Sequence, residues 1–121
     1  MDKQGKILEG LTGIEVLIDT NKPKAKHFID LYKSQYNTEP PYPAYMLGIY
    51  DVIYLMKDAY EHVSNNSDAL ANYLYTLNDW DGAVGPLSFD SHGDPTSSYS
   101  VRLITNGQAK EVDIYKPTGA K

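Results

Sequence analysis

The sequence predicts an α/β fold with one N-terminal strand, three helices and a C-terminal β-hairpin. An alternating segment at residues 13–19 is followed by three segments, between about Pro23 and Leu77, whose apolar residues recur at helical spacing. The apolar period then returns to that of a strand, and Asn106-Gly107 separates two alternating runs, which is typical of a type I′ hairpin. At 121 residues the chain has the length of one ordinary domain.

Charge and composition exclude several classes of function. The formal net charge is −5, from 11 Lys and Arg against 16 Asp and Glu, so we expect no nucleic-acid partner. The chain has no cysteine, which excludes disulfides and thiol chemistry but fits a reducing cytoplasm and a cell envelope equally well. No apolar run reaches the roughly 18 residues of a membrane-spanning helix. If the protein is exported, its signal lies outside this sequence, because the first residues contain no apolar run of the length that a secretory signal needs.

The first two elements are predicted to be a strand and an amphipathic helix. In the strand, Ile14, Val16 and Ile18 share one face. The helix is predicted from about Pro23 to Tyr36, because its apolar residues fall at helical spacing: Ala25, Phe28, Leu31 and Tyr32. A turn follows at residues 37–43, since its three prolines disfavour helical geometry in the residues before them.

The most apolar helix is predicted behind this turn, up to about Val63. Its stripe consists of residues at helical spacing, widened by Leu47, Val52, Leu55 and Ala59: Met46, Ile49, Tyr50, Ile53, Met56, Tyr60 and Val63. Asp51, Asp58 and Glu61 are predicted to share the polar face. A helix with so wide a stripe has to be covered by other parts of a protein. A membrane surface is a poor alternative cover, because the polar face is acidic rather than rich in Lys and Arg.

A third helix and the hairpin complete the pattern. Asn66 or Ser67 is predicted to cap the helix, whose apolar positions are Leu70, Tyr73, Leu74 and Leu77. In the hairpin, a two-residue turn makes residue 105 face residue 108. That register places three compatible pairs opposite each other: Arg102 with Glu111, Val101 with Val112, and Tyr99 with Ile114.

The polar motifs do not predict an enzyme, a metal site or a cofactor. Residues 90–101 resemble a calcium loop at alternate positions, but Pro95 replaces the required Gly and Val101 replaces the required Glu, so a tight turn is the better interpretation. Asp79 and Asp81 flank Trp80 and two such carboxylates can divide acid and base roles, yet a solvated turn is favoured there too. The three histidines lie on separate elements without metal-ligand spacing. We therefore expect a binding or structural role.

The order of the motifs resembles the C-terminal third of type I periplasmic solute-binding proteins. The branch it resembles serves branched-chain amino acid and amide uptake through ABC transporters. The resemblance depends on four features, which are an F-x-x-x-Y-x-x-x-Y helix, a proline-containing turn, the Tyr50-Asp51 pair inside an apolar helix, and the run G-P-L-S-F-D-x-x-G-D from Gly85 to Asp94. It extends over about residues 10–115.

This resemblance implies a partial type I periplasmic-binding-protein fold. Complete members have two α/β lobes that enclose the solute. By that comparison, residues 1–19 are a second-lobe strand and the approach to the hinge, residues 20–82 are a first-lobe helical segment, and residues 83–121 are the return crossing and the C-terminal hairpin of the second lobe. The long apolar helix then packs against a sheet supplied by earlier sequence. A periplasmic or cell-envelope location and an ABC transporter permease as partner are also implied.

The resemblance further implies where the solute binds. Tyr45, at the start of the long helix, corresponds to a position where family members place an aromatic residue against an amino acid or related small polar solute, and Tyr42 is a second candidate. A helix N-terminus also suits a carboxylate. The family's residues that hold the α-carboxylate and the α-amino group come from segments absent here. We therefore expect the chain alone to bind poorly or not at all.

Two alternatives to a receptor portion follow from the sequence. A free-standing α+β interaction module would bury the long helix against its own hairpin or a second copy and would bind no ligand. An enzyme of an unrecognised type would need a pocket with strongly perturbed ionisable groups. A receptor portion instead predicts apolar surface on the long helix and self-association of the isolated chain.

Overall fold

The computed structural model describes residues 7–117, and it confirms the predicted α/β class. The elements follow in this order: β1 (Thr12–Val16), α1 (Pro23–Tyr36), α2 (Pro43–His62), α3 (Ser67–Thr76), β2 (Trp80–Asp81), β3 (Pro86–Leu87), β4 (Tyr99–Thr105) and β5 (Gln108–Tyr115). Residues 1–6 and 118–121, which belong to the first and last predicted segments, lie outside the described residues. Between residues 7 and 117, none of the helices has the length and hydrophobicity needed to cross a bilayer.

The strands form two antiparallel sheets. The larger has the order β1-β4-β5, with β4 in the centre, and the smaller consists of β2 and β3. Two connections therefore join the larger sheet to the helices, one from β1 to α1 and one from α3 through β2 and β3 to β4. The second connection supplies one wall of the candidate ligand-binding groove.

The predicted hairpin turn is confirmed. Asn106 and Gly107 both have positive φ, 55° and 73°, as a type I′ turn requires. The Glu9 carboxylate accepts hydrogen bonds from both backbone N–H groups of the turn, at 2.9 and 3.1 Å. A distant carboxylate thus fixes a turn that the local sequence already favours.

The predicted hairpin register is confirmed next to the turn and wrong beyond it. Arg102 faces Glu111 as expected, but Val101 pairs with Asp113 and Tyr99 pairs with Tyr115. A β-bulge causes the shift, because Val112 is an extra residue on β5 that has no partner position on β4. The two predicted apolar pairs, Val101 with Val112 and Tyr99 with Ile114, therefore do not form.

Gly107→Ala is expected to lower the free energy of unfolding by about 1 kcal/mol, because a Cβ at positive φ is sterically disfavoured. Urea unfolding would measure the change. Gly13→Ala is the control, since Gly13 is a strand glycine whose added Cβ would meet no atom within 4 Å. A cost at Gly107 no larger than that at Gly13 would contradict the turn geometry.

The buried face of α2 differs from the predicted stripe. The buried residues are Ala44, Leu47, Asp51, Leu55 and Ala59. Ile49 and Ile53, which belong to the predicted apolar stripe, have exposed fractions of 68% and 66%. The reason is that α2 packs on α1, α3 and residues 83–84, whereas the hairpin leaves the Ile49 and Ile53 side of the helix uncovered.

The tyrosines of α2 divide between packing and exposure. Tyr50 packs on Phe28 and Tyr54, with ring centroids 5.3 and 4.8 Å apart, and belongs to the core around Leu47. A hydrogen bond with Tyr54, partial burial and the charge of Asp51 raise the pKa of Tyr50 to about 12, so its phenol is neutral at physiological pH. Tyr60 belongs to the predicted apolar stripe, and half of its surface is exposed.

Candidate ligand-binding groove

An apolar groove of about 420 Å³ lies beside the N-terminal half of α2. One wall comes from α2 and the other from the connection that leads through β3 to β4. Side chains on the α2 wall are Ala44, Tyr45, Ile49, Val52 and Leu55, and those on the opposite wall are Val84, Pro86, Leu87, Phe89 and Pro95. Such a lining suits the apolar part of a small molecule.

The groove contains one of the two predicted site residues. Tyr45 lines it and has an exposed fraction of 72%, so its ring is available for contact with another molecule. Tyr42 is also exposed, but it precedes the first turn of α2 and does not line the groove. The structure therefore brings Tyr45 together with Phe89 and Pro95, and leaves Tyr42 apart from them.

The N-terminus of α2 borders the groove. The N-cap position is Tyr42, whose side chain does not cap the helix, and Pro43 occupies the first turn. Backbone N–H groups in the first turn of a helix have no partner within the helix, and together with the helix dipole they favour an anion. The groove thus combines an apolar lining with an end that favours negative charge.

Asp51 fixes the two walls of the groove to each other. Its side chain is 8% exposed, and its two carboxylate oxygens accept hydrogen bonds from the backbone N–H groups of Ala83 and Val84, at 2.6 and 2.8 Å. A Cβ added at Gly82 would lie 2.6 Å from Asp51 Oδ2, so this close approach requires glycine. The sequence prediction missed this role because it assigned Asp51 to the polar face. A carboxylate four residues from both Leu47 and Leu55 is the signal that could have found it.

Asp81 joins the two connections through ion pairs. Its carboxylate lies 3.0 Å from Lys22 Nζ and 3.2 Å from Lys24 Nζ, and Lys22 also donates to the backbone oxygen of Gly82. Hydrogen bonds from Lys22 and Lys24 lower the pKa of Asp81, so this carboxylate is held as an anion. Asp81 is therefore a structural ion-pair partner, and the predicted turn around Trp80 is wrong at residues 80–81, which form the short strand β2 paired with β3.

Two further carboxylates accept hydrogen bonds from groups of the chain itself. Asp58 accepts hydrogen bonds from the Tyr73 hydroxyl and from Trp80 Nε1, at 2.8 and 3.2 Å, which ties the end of α2 to α3 and β2. Asp90 Oδ1 accepts from the N–H groups of His92 and Asp94, at 2.8 and 3.0 Å. The predicted tight turn at Asp90 is confirmed by these bonds.

Comparison with known proteins identifies the fold. The family model described as the receptor family ligand binding region matches residues 1–105. The chain belongs to this receptor family. The resemblance to type I periplasmic solute-binding proteins, which the motifs indicated, is confirmed, as is the partial form of their fold.

Solved structures of such receptors superpose on most of the chain. A leucine binding protein from Thermotoga maritima is 27% identical with a TM-score of 0.73, and the match covers 93% of this chain and 33% of that protein. A branched-chain amino acid transporter substrate binding protein from Streptococcus pneumoniae, in complex with isoleucine, is 26% identical with a TM-score of 0.68, covering 93% of this chain and 32% of that one.

A more distant receptor shares the fold alone. A solute binding protein of an ABC transporter from R. palustris, in complex with benzoate, is 15% identical with a TM-score of 0.65, and the match covers 100% of this chain and 35% of that chain. Among curated proteins, no sequence matches this chain. The chain thus spans about a third of the length of the solved receptor structures that it matches.

Proposed function

We propose that the chain is the C-terminal portion of a solute-binding receptor of an ABC importer, and that the groove beside α2 is one side of its solute cleft. The observation that carries this proposal is the position of Tyr45 in an apolar groove, beside a helix N-terminus that no side chain caps. The proposed solute is an amino acid or a related small polar molecule with an apolar part. Its carboxylate would lie near the N-terminus of α2 and its apolar part against Tyr45.

The lobe assignment is part of the same proposal. Residues 1–19 and 83–121 are proposed to belong to the second lobe and residues 20–82 to the first, with the solute between them. The chain would then act in the periplasm or cell envelope, and its partner would be the permease of the transporter. Support comes from the relatives, which are binding proteins for leucine and isoleucine.

The uncovered side of α2 supports the proposal that this is a portion of a longer receptor. Ile53 and Tyr60, which do not line the groove, have exposed fractions of 66% and 50%, although they belong to the most apolar helix of the chain. Apolar surface of this extent usually marks an interface. We propose that the sheet of the first lobe, from sequence that this chain lacks, packs there. Without it, the isolated chain is expected to self-associate through this surface.

A chimeric receptor would test the proposal. In the chimera, this chain replaces the matching third of the Thermotoga maritima leucine binding protein, which supplies the remaining polar groups of a cleft. We expect the chimera to unfold cooperatively and to bind leucine. We also expect Tyr45→Ala to weaken binding by about tenfold, the loss of about 1.4 kcal/mol of contact. Isothermal titration calorimetry would measure both.

Two variants make the result specific. Tyr60→Ala removes an exposed tyrosine at the other end of α2, so it is expected to leave leucine binding unchanged. Tyr42→Ala is expected to have a smaller effect than Tyr45→Ala, because Tyr42 does not line the groove. A chimera that unfolds cooperatively but binds leucine equally well with and without the Tyr45 ring would contradict the proposed site.

A further inference from the structure

A second cleft, of about 330 Å³, lies where four segments of the chain meet. Its lining comes from residues 17–22, 79–86, 96–98 and 116–117, which include both connections between the larger sheet and the helices. Val84, Gly85, Pro86 and Ser97 also line the groove beside α2, so these residues separate the two spaces. Tyr45 does not line this second cleft.

Two side chains of opposite charge line the second cleft without an ion-pair partner in the part of the chain that the structure describes. Within residues 7–117, the Asp79 carboxylate and the Lys116 ammonium have no ion pair and no side-chain hydrogen bond with another residue. The other two charged residues of the lining have partners within the chain. Lys22 is bound to Asp81 and to the backbone oxygen of Gly82, and the Asp19 carboxylate accepts a hydrogen bond from the backbone N–H of Asn21. An acid and a base that both line one cleft can receive the two ends of a dipolar ligand.

The position of Asp79 is fixed by its surroundings. Its φ of 52° is in the left-handed region, which few residues other than glycine adopt. Its backbone N–H donates to Ser88 Oγ at 2.9 Å, and Ser88 is 5% exposed. The carboxylate therefore starts from a constrained backbone, which limits the conformational entropy lost on binding.

The remaining lining completes a site for a small organic molecule. Leu17, Val84 and Pro86 supply apolar contact, and the hydroxyl groups of Ser97 and Ser98 add polar partners. A cleft lined by charged and apolar side chains favours a compact ligand that carries both charges and an apolar carbon skeleton.

We propose that this cleft is a second binding site, which takes a small zwitterion between Asp79 and Lys116. The ammonium group of the ligand pairs with the Asp79 carboxylate, its carboxylate pairs with the Lys116 ammonium, and its carbon skeleton contacts Leu17 and Val84. Because the cleft borders both connections between the sheet and the helices, a bound zwitterion contacts both of them. Its binding favours one arrangement of the two connections and opposes others.

Titration of the ¹⁵N-labelled chain with three probes tests this site. L-alanine has both charges, L-alaninamide lacks the carboxylate, and N-acetyl-L-alanine lacks the ammonium. We expect saturable amide shifts at Leu17, Ser98 and Lys116, which line only the second cleft, with L-alanine, and affinities at least about tenfold weaker for the other two probes. No saturable shift with L-alanine, or equal affinities for all three probes, would overturn the proposal.

Matched variants separate this site from the groove beside α2. Asp79→Asn and Lys116→Met keep the size of each side chain and remove its charge, and each is expected to weaken L-alanine binding at least about fivefold, or 1 kcal/mol. Asp113→Asn and Lys110→Met remove exposed charges from β5 and are expected to leave it unchanged. If Tyr45→Ala abolishes the shifts and the two charge variants do not, the zwitterion binds in the groove and the second site does not exist.

Discussion

Asp51→Ala is expected to lower the free energy of unfolding by about 3 kcal/mol, one of the two largest losses from a single substitution in this chain. The carboxylate is buried and accepts hydrogen bonds from the N–H groups of Ala83 and Val84. Alanine removes both acceptors and leaves one buried donor, at Ala83, and one partly buried donor, at Val84, without partners. Each such donor retains the cost of its lost hydration, about 1 to 3 kcal/mol. Chemical denaturation of the purified chain would measure the change.

Two comparisons distinguish this effect from the loss of a surface charge. Glu61→Ala on the same helix removes an exposed carboxylate that pairs with Lys57 at 2.8 Å, and it is expected to cost less than about 0.5 kcal/mol. In hydrogen exchange, the amides of Ala83 and Val84 are expected to lose protection in Asp51→Ala and to keep it in Glu61→Ala. Equal costs for the two variants, with unchanged exchange at residues 83–84, would contradict the assigned hydrogen bonds.

The local sequence predicted the helix ends well. Pro23 begins α1 as predicted, whereas Pro43, which was assigned to the preceding turn, is already the first residue of α2. Both prolines stand in the first turn of a helix, where a missing N–H costs nothing. Asn66 caps α3 as predicted, since its side chain accepts from the N–H groups of Asp68 and Ala69. These signals are local, because each depends on the conformational preference of one or two residues.

The buried face of α2 and the bulge in the hairpin depend on distant contacts, and the sequence pattern did not predict them. A helix with apolar residues on most of its circumference has no unique stripe, so periodicity cannot decide which side the chain itself covers. Asp51 is buried because of N–H groups 32 and 33 residues away. In the hairpin, the register beside the turn followed from Asn106-Gly107, but the extra residue Val112 changed the pairs beyond it.

The candidate site was predictable only in part for the same reason. Tyr45 was found from the family resemblance together with its place at a helix start. The groove that it lines also needs Phe89 and Pro95, which a turn brings close and which no spacing in the sequence connects to α2. The charges of the second cleft come from residues 79 and 116, which are separated by four strands and their turns. Such groups become neighbours only through the tertiary fold.

The second large effect is expected for Leu47→Ala, which should lower the free energy of unfolding by about 3 kcal/mol. Leu47 has no exposed surface and lies at the centre of the core with Ala25 and Ala83. Its truncation removes buried apolar area and leaves a cavity beside small side chains that cannot fill it. Urea unfolding at low protein concentration would measure the loss.

Ile53→Ala on the same helix is the matched comparison, and it is expected to cost less than about 0.5 kcal/mol because Ile53 is 66% exposed. A large loss at Ile53 that is equal to that at Leu47 would mean that the outer side of α2 is covered in solution. If that loss grew with protein concentration, the cover would be a second copy of the chain, because mass action stabilises an associated state. If Ile53→Ala also reduced self-association without lowering the stability of the monomer, the outer side of α2 would be the interface, as expected for a helix whose sheet lies in the rest of a receptor.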